Sequence, residues 1–116
     1  MRKQTLLGIP VAALLVLSAC GQPVPDAKAA YVGEWRAPNM SLRLTRDGWV
    51  YYERSKEDGN PSYRWSMDGQ LWRFEGDNFV VGIPPISWTF EVSKPPYQEA
   101  GTWKMVVDGV EFTRAP

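Results

Sequence analysis

Asp-Gly dipeptides recur from residue 47 onward in this 116-residue chain and divide it into short segments. They lie at Asp47-Gly48, Asp58-Gly59, Asp68-Gly69 and Asp108-Gly109. Each pair supplies the positive φ angles that tight hairpin turns require. The segments between the pairs are rich in Trp, Tyr, Val, Phe and Thr, and none of them shows the period of a helix. The chain from Tyr31 onward is therefore predicted to be an antiparallel all-β domain.

The pattern predicts eight or nine short strands. They cover about residues 31–36, 40–45, 49–54, 62–67, 70–75, 79–83, 87–93, 102–107 and 110–114. A single open sheet of this length would leave one apolar face in water, so we expect it to close into a small up-and-down barrel. Pro84-Pro85 and Pro95-Pro96 cannot donate ladder hydrogen bonds, and we expect them in loops or at sheet edges.

Two-residue turns at the Asp-Gly pairs also predict which residues face each other. The expected partners are Trp65 with Trp72, Leu44 with Tyr51, and Met105 with Phe112. By alternation, the inward positions hold Trp49, Tyr51, Tyr63, Trp65, Trp72, Phe74, Phe79, Trp88, Phe90, Trp103 and Phe112, and the outer face holds Tyr52, Leu71 and Val80. An eight-stranded barrel is just wide enough for side chains to fill it, which favours a solid core. A ligand-lining role for Trp49, Tyr51, Trp65, Trp72 and Trp88 is the alternative.

The N-terminal segment has the layout of a secretory signal. Positive charge at Arg2 and Lys3 precedes an apolar run over residues 6–17, and the small residues Ser18 and Ala19 follow it. The run is shorter than the about 20 apolar residues that span a bilayer. Residues 1–19 are therefore predicted to be removed.

Leu17-Ser18-Ala19-Cys20 resembles the lipobox of bacterial lipoproteins in all four positions. The resemblance implies lipid attachment at Cys20, as diacylglycerol and palmitate-like chains that would anchor the protein permanently. In the lipoproteins that this segment resembles, an Asp directly after the cysteine favours retention in the inner membrane. Gly21 stands at that position here, so the resemblance implies attachment to the outer membrane, with the domain facing the periplasm. Residues 20–30 are then a lipidated flexible spacer and residues 31–116 the barrel domain. The alternative is an ordinary secretory signal followed by a free thiol.

Gly33-Glu34-Trp35 on the first strand, with Arg114 on the last, resembles the lipocalin-like pattern in which a tryptophan packs under a closing-strand arginine. The expected register also sets Arg114 opposite Trp103, and a cation over an indole contributes about 0.5 to 2 kcal/mol. The resemblance implies that these residues close the barrel. Residues 76–83 and 103–111 also look like stretches of short proteobacterial envelope lipoproteins of unestablished function, which carry no catalytic residues to transfer.

The composition excludes several common kinds of catalytic and metal site. The chain has no His and one Cys, so it has no imidazole base, no internal disulfide and no Cys-rich zinc site. Its 13 basic and 13 acidic side chains balance, which argues against nucleic-acid binding. Glu34 and Glu53 are the carboxylates not obviously solvated. Alternation places Glu53 on the core face, but because buried carboxylates are rare unless paired, we expect it at a strand end within reach of water or an Arg. No cofactor, metal or enzymatic activity is expected.

Two functions remain open at this point. The first is a non-enzymatic outer-membrane lipoprotein whose domain binds or braces another envelope component, in line with the lipobox. The second is a lipocalin-like carrier of a small apolar ligand, in line with the dense aromatics and the Gly-x-Trp pattern.

Overall fold

The computed structural model describes residues 22–55 and 64–116, which form an all-β domain. Nine antiparallel strands follow two consecutive 3₁₀ turns at Asp26–Tyr31. The strands are β1 (Gly33–Ala37), β2 (Met40–Leu44), β3 (Trp49–Ser55), β4 (Arg64–Glu75), β5 (Asn78–Ile83), β6 (Ile86–Phe90), β7 (Val92–Glu99), β8 (Thr102–Val107) and β9 (Val110–Arg114). They curl into a half-barrel, which confirms the antiparallel all-β fold predicted from the sequence.

The strand order explains the curvature of the sheet. It is β6-β5-β4-β3-β2-β1-β9-β8-β7, so the first and last strands pair, and β6 and β7 form the two edges. Only Glu91 separates these two strands in the chain, and the sheet must therefore curl until its edges approach each other. Side chains hold this corner: Asp108 accepts a hydrogen bond from the Glu91 N–H at 2.9 Å, and Asn78 accepts one from the Val92 N–H at 2.8 Å.

The concave face of the half-barrel forms the core. Its fully buried side chains include Trp35, Phe79, Phe112, Leu42, Leu44, Leu71, Met105, Val50 and Val81. Phe79 and Phe90, which are direct partners on β5 and β6, stack with their ring centroids 5.0 Å apart. Tyr31 covers the Phe79 side of this stack edge-on, at 6.1 Å. Phe79, Phe90 and Phe112 are therefore buried in the interior as the sequence predicts, and Trp35 and Tyr31, which were not among the predicted inward rings, complete it.

The predicted hairpin at Asp68-Gly69 is wrong. Both residues lie inside the twelve-residue strand β4, where Asp68 pairs with Tyr51 and Gly69 with Val50. Gly69 serves packing here, because a Cβ at this position would lie 2.7 Å from the Val81 Cγ1. The two strands predicted on either side of it are thus one strand, and Trp65 does not face Trp72.

The turn at Asp47-Gly48 is present but longer by one residue than predicted. The Thr45 N–H donates to the Trp49 carbonyl at 2.9 Å, which leaves a three-residue loop with Gly48 at a φ of 95°. Leu44 therefore pairs with Val50, not with Tyr51. Because a one-residue shift moves every side chain of a strand to the other face, the predicted faces of β3 are inverted.

The hairpin at Asp108-Gly109 has the predicted register. Both turn residues have positive φ angles, of 49° and 79°, as a type I′ turn requires. Met105 accordingly pairs with Phe112. Pro84-Pro85 is a cis peptide in the β5–β6 connection, and Pro95-Pro96 lies in the edge strand β7. Tyr63 and the Asp58-Gly59 pair lie outside the described residues.

The expectation of a flexible spacer over residues 20–30 needs correction from Gln22 onward. Val24 is buried in the core, and its N–H donates to the Arg46 carbonyl at 3.0 Å. Lys28 reaches the Gly76 carbonyl at 2.8 Å and lies over the Phe74 ring. Tyr31, predicted to begin the first strand, instead ends the 3₁₀ turns. The apolar Val24 and the ring of Tyr31 account for the packing of this segment against the sheet.

Candidate functional site

The first and last strands meet around the guanidinium of Arg114. Its Cζ lies 5.0 Å from the ring centroid of Trp35 and 4.9 Å from that of Trp103. Trp35 on β1 is the direct partner of Arg114 on β9, and Trp103 belongs to β8. Trp35 is fully buried, and its Nε1–H donates to the Tyr31 carbonyl at 2.9 Å. The structure thus brings together the three residues expected at the closure.

Burial governs the electrostatics of this closure. It lowers the pKa of the Arg114 guanidinium from its ordinary value, although arginine stays charged at neutral pH. The Arg114 Nη2 donates to the Ala30 carbonyl at 2.6 Å, whereas Nε is buried without a hydrogen-bond partner among the described residues. The two indole faces offset this cost, since their quadrupoles attract the cation.

Gly33 makes room for the arginine. Its φ is 144°, and a Cβ at this position would lie 3.2 Å from the Arg114 Cδ. The glycine of the Gly-x-Trp pattern therefore lets the aliphatic part of Arg114 pass close to the backbone of β1. The cluster joins the three neighbouring strands β1, β9 and β8, so its role is that of a structural closure.

Five aromatics predicted to fill or line the interior lie elsewhere. Trp49, Trp65, Trp72 and Trp88 are 38%, 41%, 39% and 46% exposed, and Tyr51 is half-buried. The inverted register turns Trp49 and Tyr51 to the outer face, and the merged strand β4 turns Trp72 there too. Trp65 and Trp88 do lie on the inner face of the sheet, as predicted, but at the margin of the core, where they remain exposed. Conversely, Leu71 is fully buried in the core, against the prediction that it lies on the outer face. Val80 alternates with the core residues Phe79 and Val81, as predicted, but is buried as well.

Trp65 and Trp88 line one groove at the open end of the half-barrel. Its volume is about 210 Å³, and Tyr52, Met67 and Phe90 also line it. The Tyr52 ring packs edge-on against Trp65 at 5.7 Å and against Phe90 at 5.6 Å. The groove thus continues the aromatic core outward, and its polar lining comes from Arg54, Thr89 and Asp108. We call it the aromatic groove.

The aromatic groove adjoins a sheet edge that lacks the usual protection. Among the residues that the structure describes, β6 has a neighbouring strand on one side only, and Ile86 to Thr89 are exposed. β6 contains neither a charged residue nor a proline, the devices that commonly block an edge. The opposite edge, β7, carries Lys94, Pro95 and Pro96. A segment that adds to β6 would therefore place its side chains beside Trp88.

The two candidate carboxylates are on the outer face, which corrects the placement of Glu53. Glu34 and Glu53 line a depression of about 380 Å³ together with Asp68. Glu34 pairs with Arg36 at 3.0 Å and Glu53 with Arg64 at 3.6 Å, and these side chains are well exposed. Exposed ion pairs of this kind contribute little to stability. The arrangement is that of a solvated charged face.

Cys20 and the predicted signal segment lie outside the described residues. Within residues 22–55 and 64–116, no helix is long and apolar enough to cross a membrane. In the same part of the chain, no group of three or more His, Cys, Asp or Glu side chains is placed to hold a metal ion.

Comparisons with protein-family models, curated proteins and solved structures found no match to this chain. The functional interpretation therefore depends on its own residues. Sequence reasoning placed Trp65 and Trp88 inward but missed the groove. Part of a signal exists at Trp65, which alternates with the buried Met67 and stands one step nearer the beginning of β4. Trp88 carries no such signal, because it is the middle residue of β6 and its exposure follows from the edge position of that strand.

Proposed function

We propose that this chain is a lipid-anchored, non-enzymatic binding module of the bacterial outer membrane. Its anchor is Cys20, supported by the match of residues 17–20 to the lipobox. Its domain faces the periplasm and binds another envelope protein through the aromatic groove. The absence of an Asp at position 21 supports the outer membrane as the location.

The exposure of Trp65 and Trp88 in one groove is the observation that supports binding. Tryptophan is enriched among the residues that dominate interface energies, because its large ring removes much surface from water. Here two such rings flank a depression that Met67 and Phe90 also line. An extended apolar segment of a partner would bury both rings and could also pair with the free edge of β6.

The packing of the interior favours a surface-binding module over a carrier of small apolar molecules. The rings of Phe79, Phe90 and Phe112 are buried in the space that a lipocalin-like ligand would need. The groove, at about 210 Å³, is smaller than the about 300 to 1,000 Å³ typical of small-molecule pockets. It suits one or two side chains of a larger partner.

The lipid anchor is tested with Cys20→Ala. We expect this variant to lose palmitate labelling and to accumulate as uncleaved precursor or as a released domain, because the thiol that receives the lipid is gone. A variant that is still labelled would show that the anchor is not at Cys20.

The partner is tested by chemical crosslinking of intact envelopes followed by affinity purification. The wild-type lipoprotein should recover a discrete protein that the double variant Trp65→Ala/Trp88→Ala does not. The control is Tyr51→Ala, which removes a half-buried aromatic side chain from the outer face. Equal recovery by all three proteins would contradict a role for the groove, and recovery of abundant bulk proteins alone would contradict a specific partner.

A further inference from the structure

A second exposed aromatic surface lies where the described chain begins. Trp49 and Trp72 are both exposed on the outer face of β3 and β4. Trp49 pairs with Gln70, two residues before Trp72, so the two tryptophans are diagonal neighbours in the sheet. Their positions follow from the three-residue loop after β2 and from the continuity of β4.

The first described residues run across this same surface. The Gln22 carbonyl packs against Gly48, where a Cβ would lie 2.1 Å from it, and the Val24 N–H bonds the Arg46 carbonyl. Gln22, Pro23 and Trp72 line one depression of about 500 Å³. The packing of residues 22–24 on the β2–β3 turn therefore determines where the chain toward Cys20 departs.

The distance to the expected lipid is short. Cys20 precedes Gln22 by two residues, and two residues of extended chain span at most about 7 Å. Acyl chains on Cys20 would thus enter the bilayer within about 7 Å of Gln22, which holds this end of the domain near the headgroups. Tryptophan is well suited to that environment, because its ring is apolar and its N–H can remain hydrated.

We propose that Trp49, Trp72 and Pro23 form a lipid-facing surface that rests in the headgroup region of the membrane anchoring Cys20. This inference depends on the proposed lipidation. The occupant is the phospholipid headgroup region itself, supported by the short chain between Gln22 and Cys20 and by the exposed rings. The exposed Arg46 and Asp47 of the β2–β3 turn balance in charge and add no repulsion from an anionic headgroup.

The proposal also orients the aromatic groove. Trp65 lies seven residues before Trp72 on β4, about 23 Å along the strand at about 3.3 Å per residue, and on the opposite face of the sheet. With Trp72 at the headgroups, Trp65 is directed away from the bilayer. The domain then presents one aromatic surface to lipid and the other to the periplasm.

The test measures quenching of tryptophan fluorescence by lipid. The full lipidated protein is reconstituted into phosphatidylethanolamine and phosphatidylglycerol vesicles whose acyl chains carry bromine near the headgroup. Wild-type emission should be partly quenched, and Trp49→Phe/Trp72→Phe should lose most of the quenched component. The matched control, Trp65→Phe/Trp88→Phe, should retain it, because these rings are placed away from the bilayer. Phenylalanine removes the fluorophore while it keeps an aromatic ring at each site.

Flotation of the vesicles separates the two proposals. Protein that carries no lipid and does not float contradicts the anchor itself. Protein that floats, but whose quenching is unchanged in Trp49→Phe/Trp72→Phe, overturns the lipid-facing surface and leaves the anchor standing. If Trp65→Phe/Trp88→Phe removes the quenching instead, the aromatic groove faces lipid, and the proposed orientation is wrong.

Discussion

Two pairs of tryptophans in this domain have different surroundings. Trp35 and Trp103 enclose the Arg114 cation where the first and last strands pair, so strands cover them on both sides. Trp65 and Trp88 flank the aromatic groove, and Trp88 stands on an edge strand. The same side chain therefore stabilises the fold where the sheet continues around it and remains available for binding where the sheet ends. β5 pairs with β4 only from Leu71 onward, so Trp65, like Trp88 on its edge strand, has a paired strand on one side only. The presence of a paired strand on both sides, and not residue type, separates the two roles.

Removal of Trp35 should produce the largest effect. The side chain is fully buried, so Trp35→Ala creates a cavity, removes one indole from Arg114 and should cost about 3 to 5 kcal/mol of unfolding free energy. Chemical denaturation followed by circular dichroism measures this loss. A cost below that of Trp88→Ala would contradict the distinction between the two pairs.

Loss of the cation should produce a smaller effect at the same closure. Arg114→Ala removes the contacts with both indoles and should destabilise the domain by about 1 to 3 kcal/mol. Arg114→Lys should restore part of this, because it keeps the charge without the planar group that stacks on a ring. Arg73→Ala is the control, since that arginine pairs with Glu75 on the surface. An unchanged denaturation midpoint in Arg114→Ala would show that the closure does not depend on the arginine.

Tyr31, whose carbonyl accepts the hydrogen bond from Trp35 at the closure, should make the unfolding free energy of the domain depend on pH. Burial, with a smaller contribution from the Asp77 carboxylate, raises the pKa of Tyr31 from 10.0 to about 12. Its hydroxyl donates to the Asp77 carbonyl at 2.8 Å. Because the pKa of Tyr31 is higher in the folded protein than in the unfolded chain, folding favours the neutral phenol. The contribution of Tyr31 to the unfolding free energy is therefore fully present below pH 10 and is lost as the pH rises toward about 12.

Absorbance titration of the tyrosines measures this shift. Tyr31→Phe should remove a phenol that titrates near pH 12 and flatten the fall in stability between pH 10 and about 12. The variant should also lose about 1 kcal/mol at neutral pH with the hydrogen bond. If the titration curves of the folded wild-type protein and of Tyr31→Phe do not differ in the range from pH 10 to about 12, Tyr31 is more exposed than its packing indicates.

Local turn chemistry explains how far the sequence could predict the fold. Asp108-Gly109 joins two strands directly, and its positive φ angles give the expected register between Met105 and Phe112. Asp68-Gly69 looks the same in sequence, yet its glycine is required by the approach of Val81 from the next strand. That contact is between residues distant in sequence, so no local pattern reveals it.

The candidate sites were predictable to different degrees for the same reason. Trp35, Trp103 and Arg114 meet through the pairing of the first and last strands, which the Gly-x-Trp pattern and one correct hairpin indicated. The aromatic groove depends on where β4 and β6 end relative to each other, which the misplaced hairpin at Asp68-Gly69 obscured. The one-residue longer loop at Gly48 likewise moved Trp49 and Tyr51 to the outer face.

A substitution in the aromatic groove should have the smallest effect on stability. Trp88→Ala should change the unfolding free energy by about 0.5 kcal/mol or less, as is usual for a surface substitution. Denaturation under the conditions used for Trp35→Ala checks this. A cost comparable with that of Trp35→Ala would mean that Trp88 belongs to the core.

Site-specific photocrosslinking in living cells tests most directly whether the aromatic groove binds a partner. A benzophenone amino acid is placed in the full-length chain at position 88 in the groove or, as a control, at position 51 on the outer face. We predict a discrete protein adduct from position 88 that disappears when Trp65→Ala is added, and no such adduct from position 51. An absence of protein adducts from position 88, or an identical pattern from both positions, would contradict the account.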